Sequence, residues 1–137
     1  MSVVYNKIPQ VSKLIDDKVR QIIIDEPINQ QRNIRQAMQN SPASGRVYKR
    51  GNVEHRASAP GESPAIDTGN LVGSIETGNE GPYKGYVASN APQSLALELG
   101  NPSHNLLPRP AWVPAAKKAK ARIQARLRTL KKQVENV

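Results

Sequence analysis

Residues 64 to 75 read "PAIDTGNLVGSI", and the fold turns on how Asp67-Thr68-Gly69 within them is read. An Asp-Thr-Gly after an apolar residue is how aspartic proteases present a catalytic carboxylate. The same letters describe a turn that opens a helix, because Asp67 or Thr68 can accept a hydrogen bond from the free N–H groups of the turn that follows. On that reading Leu71 and Ile75 face inward, and the chain from Ser74 to Thr77 turns into a strand. The neighbours favour the cap: "GESP" before the triplet is an irregular segment ending, and "NLVGSI" after it carries an apolar pair into a core. Retroviral-type proteases are almost pure β-structure and share a proton between two such carboxylates. This chain reads as helical over roughly half its length, and Asn70 follows the triplet where a small residue is usual.

Towards the N-terminus, Ile8, Val11, Leu14, Ile15, Val19, Ile22 and Ile23 recur at three-and-four spacing, with charged residues between them. This predicts an amphipathic helix over 8–25. Pro27 removes a backbone donor and pushes Glu26 out of helical geometry, so the helix is expected to end or kink there. A second helical stretch follows at 29–39, with Ile34, Ala37 and Met38 on one side.

Between 40 and 66 the composition shifts to Ser, Pro, Gly and charge. Arg46–Arg50 and Val53–Ala57 flank Gly51-Asn52, a two-residue turn compatible with a hairpin. The segment is expected to be a protruding arm, as loops this long in a small domain are usually functional or disordered. Arg46, Tyr48, Lys49, Arg50 and Arg56 are its candidate partner-facing residues. Beyond the triplet, Gly78–Pro82 predicts a turn and Lys84–Ser89 a strand, giving a second hairpin. A short helix over 93–99 places Leu95, Leu99 and Ala96 on one face before Gly100 stops it. A Pro-rich crossover spans 101–113. From Pro114 a long helix is expected to 135, burying Ala116, Ala119, Ile123, Leu127, Leu130 and Val134.

Together these predict one α+β domain over 1–137, a small antiparallel sheet packed by the N-terminal and long C-terminal helices, with a protruding loop or hairpin arm. A chain of 137 residues should bury roughly 70% of the surface its unfolded form exposes. With no Phe, one Trp and four Tyr, the core must be aliphatic. The largest burial is expected at Leu71, Ile75, Val87, Leu95, Leu99 and Trp112, at ~1.5 to 3 kcal/mol for a large aliphatic side chain.

The absence of Cys excludes disulfides, thiolate zinc sites and cysteine nucleophiles. The longest apolar run, Ile22-Ile23-Ile24, is far short of a membrane span, and the first residues lack a signal pattern, so a soluble protein without membrane contact is expected. His55 and His104 have no second ligand at metal spacing, and no G-x-S-x-G supports serine hydrolysis. "GNEGPYKG" only loosely resembles a phosphate loop, and Pro82 removes a donor that a phosphate cradle uses. No enzyme activity and no cofactor are expected.

Net charge is +9, and its distribution is uneven. From Trp112 onward, Lys117, Lys118, Lys120, Arg122, Arg126, Arg128, Lys131 and Lys132 stand against Glu135 alone, so this segment carries +7 of the total. Such a run is either a solvated or partner-facing surface or a phosphate-neutralising one. It lacks the aromatics and paired amides that read bases.

Four phrases in order, "SGRVYKRG", "HRASAPGESPAIDTGNLVGSI", "YVASNAPQSLALELG" and "RPAWVPA", resemble the HK97-type gp-ten-like tail-component family of tailed bacteriophages over about residues 9 to 130. The resemblance implies a ring subunit, hexameric, acting as a neck or tail-completion component of a long-tailed phage. It implies a partner set of further copies and neighbouring neck and tail proteins, and leaves DNA contact in the lumen open. It places the protein in the virion, and in the host cytoplasm during assembly. The family phrases map onto Thr68, Gly69, Leu71, Ser74 and Ile75, then Leu97, Glu98 and Gly100, then Arg109, Pro110 and Pro114-Ala115. Gln93-Ser94 stand where Tyr-Ala is usual. A tail terminator or head-closure ring protein is the nearest alternative; a non-specific nucleic-acid-binding module is the alternative of a different class. From the residues themselves, Glu98 and Arg109 are expected to pair across the crossover as a latch of ~1 kcal/mol or less.

Overall fold

The computed structural model describes residues 2–137, with side chains from residue 7 onward. In chain order it contains α1 (Ser2–Gln39), β1 (Val47–Arg50), β2 (Val53–Arg56), α2 (Asn70–Gly73), β3 (Ile75–Asn79), β4 (Gly85–Ser89), α3 (Ser94–Leu99), a 3₁₀ turn (Pro102–His104) and α4 (Trp112–Glu135). This is the α+β arrangement the sequence suggests, with its strands in two separate antiparallel pairs, β1–β2 and β3–β4.

Helices α1 and α4 run antiparallel. Met38 packs with Ala115 at one end of the pair, and Lys7 Nζ donates to the Val137 carbonyl at 3.1 Å at the other. The core joins Ile34 and Met38 of α1, Ile75 of β3 and Ala111 and Ala115 at the start of α4, with Leu71, Val72, Val87 and Trp112 packed against it. Midway along the pair, the buried carboxylate of Glu26 accepts from Arg122 Nε at 3.0 Å and from Arg126 Nη1 at 3.3 Å. Arg126 Nη2 also donates to Asp25 at 3.0 Å. A buried ion pair adds little net stability over apolar packing, but losing one partner strands a charge, so it fixes how the helices align.

Of the two outcomes expected at Pro27, an end or a kink, the end does not occur; α1 continues through it and the two predicted stretches are one element. The reason lies far away in sequence. Proline at 27 leaves the Ile23 carbonyl without its helical donor, and Asn79 Nδ2 supplies one at 3.0 Å. The hairpin tip can come that close because residue 85 is glycine: a Cβ there would lie 2.6 Å from Pro27 Cγ and 2.8 Å from the Ile23 oxygen. The rest of the hairpin lies along α1 in the same way. Gln31 Nε2 and Arg35 Nη2 donate to the Ile75 carbonyl at 2.7 and 3.1 Å, and at the turn Tyr83 donates to Asp16 beneath the Arg20 guanidinium.

Two burial expectations are overturned. Leu95 and Leu99 are 70% and 64% exposed; α3 turns Leu97 and Glu98 inward instead, because Glu98 serves the start of α4. On α4, Ala116 and Leu127 face solvent, while Ala115, Ala119 and Leu130 are buried. The contact stripe is rotated from the apolar pattern because Arg122 and Arg126 occupy part of it to reach Glu26.

Asn79→Ala should lower stability by about 1 kcal/mol in urea denaturation, the usual net value of one hydrogen bond. In a Pro27→Ala background the same change should cost measurably less, because the backbone N–H restored at position 27 takes the Ile23 carbonyl; equal costs in both backgrounds would refute the account of Pro27.

Candidate interaction surfaces

The predicted arm is a hairpin, pairing Val47 with Arg56, Tyr48 with His55, Lys49 with Glu54 and Arg50 with Val53. Gly51 has φ 60°, as the first central residue of a type II′ turn requires. Alternation along the strands gives the hairpin two faces. One presents Tyr48, Arg50, Val53 and His55; the other presents Val47, Lys49, Glu54 and Arg56 to solvent.

The first face meets Asp67. Its carboxylate pairs with Arg50, accepts from Tyr48 Oη at 3.1 Å and lies 3.8 Å from His55 Nδ1. The capping role expected of Asp67 is therefore wrong. Gly69, in the left-handed region, precedes α2 and supports no side-chain cap, and Thr68 Oγ1 makes only a long 3.4 Å contact with the Asn70 N–H. Asp67 instead pins the arm to the body. Partial burial first, and then the bond to Asp67, raise the Tyr48 pKa above its ordinary value, so this contact persists below the usual phenol range and is lost as pH rises through the raised value. Tyr48 also stacks edge-on against His55, with ring centroids 5.1 Å apart, so His55 is partly covered.

At the base of the arm, Glu62 accepts from the Ser44 hydroxyl and from the Ala59 N–H at 2.9 Å. The Ser44 hydroxyl first, then Ala59, hold its carboxyl below the ordinary range. A depressed folded-state pKa means that this clasp is fully present above the usual carboxylate range and fades as pH falls through the folded value. Between arm and body lies an open cleft of about 410 Å³, with Tyr48, Arg50 and His55 on the arm side and Leu71, Leu97 and Arg109 on the body side.

Glu98 and Arg109 do not pair. Glu98 Oε2 accepts from the Ala111 and Trp112 N–H groups at 2.8 and 3.0 Å, and Oε1 from the Val113 N–H at 2.7 Å. These are orphan donors of the first turn of α4, and a carboxylate at a helix N-terminus is also favoured by the helix dipole. Arg109 donates instead to the carbonyls of Ser58 and Leu107 at 3.0 and 2.9 Å, tying the arm's return strand to the crossover. Gly100 has φ 81° where α3 stops, and Pro110 lends its carbonyl to Ser63 Oγ at 3.3 Å.

The basic residues of α4 fall into two groups. Arg122 and Arg126 are turned inward to Glu26 and Asp25, which removes them from the expected partner-facing set. Lys117, Lys118, Lys120, Arg128, Lys131 and Lys132 remain exposed. Of the arm candidates, Arg46 and Lys49 are exposed, Arg56 Nη1 donates to the Gly45 carbonyl at 3.2 Å, and Arg50 and Tyr48 are engaged by Asp67.

Sequence reasoning missed the roles of Asp67, Glu98 and Glu26 because each carboxylate acts on a segment distant in sequence. The one available signal was that each is an acidic residue in or beside an apolar phrase, where an unpartnered charge is costly. Among the described residues no group of three or more His, Cys, Asp or Glu side chains could hold a metal ion, and no helix is long and apolar enough to cross a membrane. Comparison of the chain with models of protein families, with curated proteins and with solved structures gives no match.

Asp67→Asn should speed tryptic cleavage at Lys49 and Arg50 several-fold while changing global stability by about 1 kcal/mol or less, the range of exposed ion pairs; unchanged cleavage would show that the arm is held by something else. Glu98→Ala should cost about 1–3 kcal/mol in thermal or chemical denaturation, because three N–H groups lose their acceptor.

Proposed function

We propose that this chain is a virion structural protein, a ring-forming neck or tail-completion subunit that joins the head and tail of a long-tailed bacteriophage. The sequence phrases that resemble the gp-ten-like tail components motivate the reading. The observation that carries it is the arm: seven of the eight residues of β1 and β2 are exposed, so the hairpin contributes little to its own chain's core. An element with free strand edges and an exposed side-chain face is suited to burial against a neighbouring chain. The exposed Leu95, Leu99 and Leu107 supply apolar surface of the kind that subunit contacts use.

On this reading the protein performs no chemistry. Its partners are other copies of itself, in a hexameric ring, and the adjoining neck and tail proteins, and it resides in the virion after assembly in the host cytoplasm. A tail terminator or head-closure ring protein is the nearest alternative, and the position of the ring in the particle would tell the roles apart.

Negative-stain microscopy and light scattering of the chain, alone and mixed with portal-side or tail-side partners, test the proposal. Rings are expected in at least one mixture, and deletion of residues 46–57 should abolish them while leaving the helical circular dichroism intact. Monomers under every condition would count decisively against it.

A further inference from the structure

We infer that the outward face of α4 is a docking surface for the phosphodiester backbone of double-stranded DNA, recognised without regard to sequence. Lys117, Lys120, Gln124, Arg128 and Lys131 succeed one another at three- and four-residue spacing, which places them on one line of the helix. All five are exposed, and the line lies opposite the buried Ala115, Ala119 and Leu130. It extends about 21 Å at 1.5 Å per residue.

The structure separates these cations from the other basic residues of the helix. Arg122 and Arg126 are consumed by Glu26 and Asp25. On α1, Lys13 and Arg20 each have an aspartate one turn away, at 2.7 and 3.0 Å. On the outer line of α4 the only acidic contact among the described residues is Glu135, 4.0 Å from Lys131. Like charges one turn apart destabilise a helix slightly, so this line costs stability that, among the described residues, only Glu135 at its end offsets. A polyanion laid along it supplies that compensation.

The choice of polyanion follows from what the line lacks. It contains no aromatic side chain, and single-stranded nucleic acids are held by stacking on aromatics. It contains no large apolar side chain to form the desolvated centre of a protein interface. The apolar face of α4 is largely covered by α1, and the exposed Val113 and Leu127 stand about four turns apart, so they form no continuous apolar stripe to insert into a lipid surface. Flexible lysine and arginine heads on a straight rod match the requirement of a duplex backbone, which is charge at close intervals without base reading. The inference depends on the ring reading only for where in a particle the helix would meet DNA.

The test is fluorescence anisotropy of the full chain with a free duplex of about 25 base pairs across a potassium chloride series. Binding is expected for unrelated sequences alike, with log K falling against log salt at a slope of about −4, or about 0.9 per neutralised phosphate. Lys120→Gln and Arg128→Gln should each reduce that slope by about 1, and the variant with Lys117, Lys120, Arg128 and Lys131 all changed to Gln should not bind. Lys49→Gln with Arg56→Gln on the arm should leave the slope unchanged, and circular dichroism confirms that each variant is folded. Absence of binding in about 20 mM salt, a slope unmoved by the α4 variants, or tighter binding to poly-glutamate than to the duplex would overturn the inference. Ring assembly is read separately by microscopy, so failure here leaves that reading intact.

Discussion

The turn of α1 from Ile23 to Pro27 is where the structure is joined. On one side, Glu26 and Asp25 take the guanidinium groups of Arg122 and Arg126 and set how α4 lies along α1. On the other, the carbonyl freed by Pro27 takes the Asn79 amide and the proline ring takes Gly85, which sets how the β3–β4 hairpin lies. The fully buried large side chains are only Ile34 and Ile75 among the described residues, so apolar burial alone specifies these alignments weakly. Directional polar contacts at one helical turn make up for it.

What the sequence made legible was local. The helical periods of α1 and α4, the Gly51-Asn52 turn and the second hairpin depend on neighbours a few residues away, and the α+β class followed from their order. Residues governed by distant partners were misread. Pro27 looks like a helix stop until Asn79 is brought to Ile23. Asp67 looks like a cap until Tyr48 and Arg50 fold back onto it, and Leu95 and Leu99 look buried until Glu98 claims the inward side of α3. Arg122 and Arg126 look like the rest of a basic run because no period distinguishes a cation that faces a buried carboxylate from one that faces water.

The same contacts divide the surface by purpose. Carboxylates that act within the chain, Asp67, Glu62, Glu98 and Glu26, each tie one segment to another. The groups left over are the outer face of the arm, the leucines of α3 and the crossover, and the cations of α4, three surfaces of different chemistry on separate elements. A subunit that must meet several kinds of neighbour at once has use for such a separation.

Glu98 has a mechanical consequence. It grips the first N–H groups of α4 from within α3, and the Arg109 N–H donates to the Leu97 carbonyl at 2.6 Å beside it. The far end of the Pro-rich crossover is thus bonded back onto α3, so α3 and the first turn of α4 are joined directly as well as through the chain. Moving α3 relative to the start of α4 would therefore require breaking these hydrogen bonds, and not only bending a loop. The apolar corner and the basic helix are therefore bonded neighbours and not two elements on a slack tether.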